Sequence, residues 1–186
     1  MQRTNFEFEL VISNDCSPDN TDEVILDIIE KHERSHLMKY IRQEVNLGMY
    51  DNFMFTINEA KSKYIAFCEG DDYWTDPLKL QKQINFLEAN PDYEVCFTNI
   101  NIINDSGDVV KEQHIPSQRK TVFKHQDLPI WAPMLSRVCR NRDFNGQIPN
   151  APGLDAVMLL YQSRFGKLKL LNEIMGSYRL HDTGIY

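Results

Sequence analysis

The 186-residue chain is predicted to fold as an α/β protein: a mostly parallel sheet covered by helices on both faces, in three layers. Two observations predict it. Strand-like and helix-like segments alternate through the first 110 residues, punctuated by clusters of turn formers. The composition, 42% hydrophobic and 25% charged, is that of a chain able to bury a core.

The elements follow in order. Phe6–Ser13, FEFELVIS, alternates and then runs apolar, as a strand entering a core does. NDCSPDNT is a turn in which Asp19, Asn20 or Thr21 can cap the helix expected over Asp22–Lys31, with Val24, Ile25, Ile28 and Ile29 on one face. Leu37–Arg42 reads as a strand, Asp51–Ala60 as a helix and Lys63–Phe67 as a third strand. Asp76-Pro77 marks the start of another helix, a capping residue before a proline at the first helical position, and Asn90-Pro91 stops it. Tyr93–Ile103 is a buried strand ended by the turn NDSGD. Val109–Pro129 is polar and weakly periodic, so loops or short edge elements are expected there. Trp131–Arg140, a helix over Leu154–Phe165, a strand over Lys167–Asn172 and an extended piece over Met175–His181 complete the chain. The split is expected near residue 110, into an α/β half (1–110) and a smaller half (111–186) packed on the same sheet.

A formal charge of −7 excludes a basic footprint for nucleic acid, and an anionic ligand would need a metal or a few placed cations. Cys16, Cys68, Cys96 and Cys139 are too widely spaced for a zinc site and form no evident disulfide framework, which points to a reducing compartment. No stretch reaches the ~18–20 apolar residues that cross a bilayer. MQRTNFEFEL has no signal-peptide core, so the cytoplasm is the expected location.

The chemistry concentrates in Tyr64–Pro77, YIAFCEGDDYWTDP. Glu69, Asp71, Asp72 and Asp76 follow a buried strand, and open α/β sheets bind ligands at the carboxyl ends of their strands. Adjacent acids repel one another unless a cation lies between them, and Mg²⁺ takes carboxylate and phosphate oxygens together. The other reading is a solvated turn, and for Asp76 a helix cap is the better account. On the residues alone, Asp71 and Asp72 fit either.

Glu69–Gln81, EGDDYWTDPLKLQ, resembles the metal-binding segment of family 2 glycosyltransferases, the nucleotide-sugar-dependent enzymes of GT-A fold. Glu7–Thr21 resembles the family's second strand and nucleotide-binding turn, Leu154-Asp155 the site of its catalytic base, and Tyr178–His181, YRLH, its C-terminal motif on the diphosphate side. Asn46-Leu47-Gly48 is similar to a loop near the nucleotide, with Asn52 close by.

The resemblance implies a role for each. Asp15 would accept a base N–H of the nucleotide, usually uracil. Asp71 would face the ribose or the metal, and Asp72 would ligate a divalent ion, Mg²⁺ or Mn²⁺, between the two phosphates. Asp155 would take the acceptor hydroxyl's proton in an inverting transfer. Arg179 and His181 would hold the diphosphate or complete the metal shell. A UDP-sugar donor, a glycan or lipid-linked acceptor and a location at the inner membrane face are implied with it. Without the family, Asp15 is a turn residue, Asp155 a helix N-terminal acid and His181 a surface histidine.

Three departures qualify the resemblance. The chain starts where the family's first helix ends, so a first strand and helix are expected to be missing, leaving a sheet edge through which copies could pair. Asn14 stands where many members carry a second acid, and Leu154 where a glycine commonly precedes the base. A non-catalytic remnant of the same fold therefore stays open as an alternative. So does a nucleotidyltransferase, although the sequence has no glycine-rich, basic triphosphate loop.

Overall fold

The computed structural model describes residues 2–115 and 120–181. The chain forms two compact units: Phe6–Lys63 with Asn141–Asn150, and Met1–Asn5 with Tyr64–Arg140 and Ala151–Tyr186.

In the smaller unit, β1 (Leu10–Asn14) and β2 (Met38–Arg42) pair in parallel, in register from Leu10 opposite Met38 to Asn14 opposite Arg42. Helix α1 (Thr21–Lys31) makes the crossover between them and α2 (Met49–Glu59) follows. The Asp19 carboxylate accepts the Thr21 N–H at 3.0 Å just before α1. The apolar face of α1 is only partly covered. Ile25 and Ile29 of α1 are half-buried, but Val24 and Ile28 are exposed, as is Leu26. Of the two helices in this unit it is α2 that carries buried residues, Met54 and Ile57, and Phe144 and Ile148 are buried with still less exposure.

The larger unit is a mixed sheet with strand order β3-β8-β5-β9-β4. Its strands are β3 (Tyr64–Ala66), β4 (Tyr73–Trp74), β5 (Tyr93–Ile103), β8 (Val138–Arg140) and β9 (Lys167–Arg179). Two short strands join it, β6 (Val109–Lys111) on β5 and β7 (Val122–Phe123) on β9. They lie in the stretch read as loops and edge elements, of which 116–119 falls outside the described residues. The two long strands, β5 and β9, run parallel, while β4, β6, β7 and β8 are antiparallel to their neighbours. Between them sit α3 (Lys79–Ala89) in sequence before β5, and α4 (Leu154–Gln162) before β9. Leu87 of α3, Val95, Phe97 and Ile103 of β5, Met158 of α4 and Leu168 of β9 are buried almost completely.

Helix α3 starts at Lys79, later than Asp76-Pro77 suggested, because Asp76 is used in the turn before it: its Oδ1 accepts the Leu78 N–H at 2.7 Å. Strand β9 is one strand where two extended pieces were expected. The pairing is irregular where the two pieces were divided: Leu171 faces Thr98, yet Ile174 already faces Asn99 and Ser177 faces Asn101. Residues 172–177 thus run beside only 99–101, as a bulged strand does.

Gly166 lets β9 start tight against β5, since a Cβ there would lie 2.9 Å from the Asp92 carbonyl oxygen and 3.1 Å from the Glu94 nitrogen. Both neighbours are backbone, so they cannot rotate away. Gly166→Ala is expected to cost about 1–3 kcal/mol of stability, as overpacking does. Thermal melting checks this, and an unchanged midpoint would show that the strand yields.

Candidate functional site

The site forms where three pieces of the larger unit's sheet end together. Ile103, the last residue of β5, faces Arg179, the last of β9, so the Asn104-Asp105 turn and Leu180-His181 leave the sheet side by side. On the other side of β9, Tyr73 and Trp74 of β4 pair with Ser177 and Gly176, which brings the acidic loop ahead of β4 to the same place.

Asp72 is buried, with 8% of its surface exposed. Its Oδ1 accepts the backbone N–H of Arg179 at 2.8 Å, and its Oδ2 is buried with no hydrogen-bond partner. Burial pushes this carboxyl up to about 7; the Glu69 and Asp71 carboxylates push the same way, and the Arg179 N–H and charge pull back. Glu69 is raised as well, first by desolvation and then by Asp71 and Asp155. Asp71 is exposed, and its Oδ2 lies 3.1 Å from His181 Nε2. The other ring nitrogen of His181, Nδ1, lies 2.6 Å from Asp105 Oδ1, so the imidazole spans two carboxylates.

The Arg179 guanidinium is spent on backbone. Its Nε donates to the Asp71 carbonyl at 3.1 Å, and its Nη1 donates to the carbonyls of Asn104 and Asp105, each at 3.0 Å. It staples the acidic loop to the turn after β5.

Beneath the loop, Lys79 is fully buried, its Nζ has no hydrogen-bond partner, and burial lowers its amine to about 7. That nitrogen lies 4.5 Å from the centre of the Trp74 ring, whose Nε1–H donates to the Leu135 carbonyl at 2.9 Å. Trp74 is therefore a packing residue on at least one face.

Asp155 is in the first turn of α4, where an acid is favoured by the helix dipole. Gly153, with φ +74°, sets up that turn. The Asp155 Oδ2 lies 3.7 Å from Nη2 of the buried Arg137. Asp15 lies in the smaller unit. Its Oδ1 accepts the Leu47 N–H at 2.7 Å and its Oδ2 accepts the Gly48 N–H at 2.9 Å, while Asn46 Nδ2 donates to its carbonyl at 3.0 Å. Asn52 Oδ1 accepts the Ser13 hydroxyl at 2.6 Å. Asn14 is buried: its side chain donates to the Tyr40 hydroxyl at 2.9 Å and accepts the Ser17 N–H at 2.9 Å. An acid in place of Asn14 would have no proton to give that hydroxyl, which itself donates to Asp22.

The structure thus gathers Asp71, Asp72, Arg179 and His181 around one strand end, and links Asp155 to Glu69 electrostatically. Two residues were missed by the sequence reading. Asp105 was hidden in an ordinary turn motif, NDSGD, and Arg137 in an apolar stretch; no local signal marked either.

The donor set suits a hard divalent cation. It offers carboxylates, an imidazole and an orphaned buried carboxylate oxygen at Asp72. Among the described residues no three His, Cys, Asp or Glu side chains cage an ion on their own. Mg²⁺ is commonly held by one or two carboxylates, with phosphates and waters filling the shell.

Asp72 generates a pH prediction. Its folded-state value lies above the unfolded one of 3.8, so the folded protein holds the proton more tightly; this stabilisation is present at low pH and is lost as pH rises through about 7. Without divalent metal, Asp72→Asn should melt higher than wild type at pH 8, by on the order of 2–4 kcal/mol, and the gap should close toward pH 4. A gap that does not vary with pH would contradict the desolvated carboxylate.

Comparison with known proteins gives this geometry a context. The sequence pattern of glycosyl transferase family 2 matches residues 1–156. An uncharacterised protein of Mycobacterium tuberculosis is 33% identical over 194 residues, a match covering 100% of this chain and 54% of that protein. The chain thus spans about half the length of the curated relatives it matches first. In fold it is similar to the crystal structure of Staphylococcus aureus TarS 1–349, with a TM-score of 0.71 and 16% identity over 95% of this chain and 53% of that one. It is similar also to a Pyrobaculum calidifontis mannosyltransferase in complex with GDP-Man and Mn²⁺, with a TM-score of 0.65 and 12% identity over 95% of this chain and 49% of that one. With a GT-A-type α/β fold, an acidic loop at the carboxyl end of its strands and a family match over most of its length, the chain belongs to glycosyl transferase family 2.

Proposed function

We propose that the chain transfers a sugar from a nucleotide-diphosphate donor, a UDP-sugar, to a glycan or lipid-linked acceptor with inversion at the anomeric carbon. The observation that carries this reading is the convergence of Asp71, Asp72, Arg179 and His181 at the ends of β5 and β9, in a chain of this family. Residues 1–110 serve as the nucleotide-sugar half and residues 111–186 as the acceptor half.

Asp72 and Asp71, with His181, would hold a divalent ion, Mg²⁺ or Mn²⁺. When bound, such an ion supplies charge neutralisation to the departing diphosphate. The similar mannosyltransferase, solved with GDP-Man and Mn²⁺, supports a metal and a nucleotide sugar as partners. Asp15 reads the nucleotide base with the lone pairs left over from its two backbone bonds. Arg179 acts by fixing the loop that carries Asp71 and Asp72, because its Nε and Nη1 already bind backbone carbonyls.

Asp155 is the base: its side chain is 48% exposed, so an acceptor hydroxyl can reach it. It takes the proton as the acceptor oxygen attacks the anomeric carbon from the face opposite the leaving diphosphate. None of the described helices is long and apolar enough to cross a membrane.

Thermal-shift titration with UDP, GDP and dTDP, each with and without Mn²⁺, tests the donor site. One nucleotide at about 100 times its dissociation constant should stabilise the chain by about 2.7 kcal/mol in the presence of metal, and the shift should vanish in Asp72→Asn. No shift with any of the three would favour a non-catalytic remnant of the fold. Asp155→Asn should abolish transfer while leaving nucleotide affinity within about twofold, the signature of an interaction made only in the transition state. Transfer at the wild-type rate in that variant would remove Asp155 from the mechanism.

A further inference from the structure

Arg137 is 1% exposed, immediately ahead of β8, and its charge is unusual in that position. A guanidinium taken out of water is costly unless it is hydrogen-bonded and paired. Its Nε donates to the Ala132 carbonyl at 2.6 Å. Its Nη1 donates to the carbonyl of Asp155 at 2.7 Å and lies 3.9 Å from the Met134 sulfur. Its Nη2 stands 3.7 Å from Asp155 Oδ2, and among the described residues no other carboxylate comes within ion-pair distance of it. The burial lowers this guanidinium to about 10, with the Asp155 charge opposing that drop.

The grip is two-pronged and falls on a single residue. One nitrogen holds the backbone of Asp155 and the other faces its carboxylate, so both the first turn of α4 and the side-chain direction are referred to one rigid, buried group. A planar guanidinium is suited to this, since its donors keep a fixed fork geometry where an ammonium would not. Asp155 itself is half in solvent, where a short acid at a helix start would otherwise move freely among rotamers. A base must stay within hydrogen-bond reach of the proton it takes, and small misplacements are costly in rate.

We propose that Arg137 is the positioning residue for Asp155, holding its carboxylate from the buried side while the open side meets the acceptor hydroxyl. The inference rests on the reading of Asp155 as the base.

The test uses the full chain as wild type, Arg137→Met, Arg137→Lys, Asp155→Asn and the double variant Arg137→Met/Asp155→Asn. Thermal melting needs no substrate. If the pair is coupled, the double variant melts well above the sum of the two single losses, because Asp155→Asn alone strands a buried cation. Strictly additive shifts overturn the proposal. Release of UDP from UDP-glucose and of GDP from GDP-mannose, with Mn²⁺ and water as acceptor, gives the catalytic readout. Arg137→Met should lower kcat at least about tenfold with the donor KM held within about threefold, and Arg137→Lys should recover part of the loss. A merely structural role would move KM and melting together and would give no recovery in kcat. If Asp155→Asn is inactive and Arg137→Met keeps the wild-type kcat, the positioning role is wrong and the base stands. If Asp155→Asn releases nucleotide at the wild-type rate, the base reading fails, and the role of Arg137 fails with it.

Discussion

A single hydrogen bond organises this end of the molecule: the Asp72 carboxylate accepting the backbone N–H of Arg179 at 2.8 Å. It ties the loop ahead of β4 to the last residue of β9, two points more than a hundred residues apart in sequence. Burying a carboxylate is unfavourable, and here only one of its oxygens is satisfied. The arrangement persists because the strand pairing on both sides leaves Asp72 no other place. Tyr73 and Trp74 are locked to Ser177 and Gly176, and Arg179 is locked to Ile103. The strand pairing and this bond together fix the position of the acid.

The surrounding electrostatics follow from that constraint. Glu69, Asp71, Asp72, Asp105 and Asp155 are drawn into one region, and the cations available to them are largely committed. Arg179 serves backbone carbonyls, Lys79 is buried under the loop against Trp74, and Arg137 faces Asp155. His181 bridges Asp71 and Asp105 through its two ring nitrogens. An acidic region of this kind has unmet demand for positive charge, which a hard metal ion carrying phosphates can supply.

Much of the architecture was legible along the chain, because local pattern reports local structure. Helices α1 and α2, the buried strand over Tyr93–Ile103 and the helix opening at Leu154 fall where periodicity and turn residues placed them. The acidic loop stood out as a cluster, but on the residues alone Asp71 and Asp72 fitted a solvated turn as well as a cation site. What could not be read was set by register. Nothing near Asp105 says that its turn will meet His181, and nothing near Arg137 says that an arginine in an apolar run will turn toward Asp155. The exposure of Val24 and Ile28 was hidden for a related reason: a helical stripe shows which residues share a face, but not how much of that face is covered. The break read into β9 falls where its pairing with β5 is irregular, which interrupts the register without interrupting the strand.

That irregularity in β9 carries an evolutionary consequence. Bulges usually mark places where a strand has absorbed an insertion, and neighbouring loops tolerate further changes in length. Here the extra residues lie upstream of Ser177, Tyr178 and Arg179, which must arrive beside Asn101, Ile102 and Ile103 with their side chains on the correct faces. Side chains alternate along a strand, so loss of one residue between 172 and 176 would bring Leu180 to the place of Arg179 and turn the following residues over. Length in this short segment is therefore under the same constraint as identity at the site.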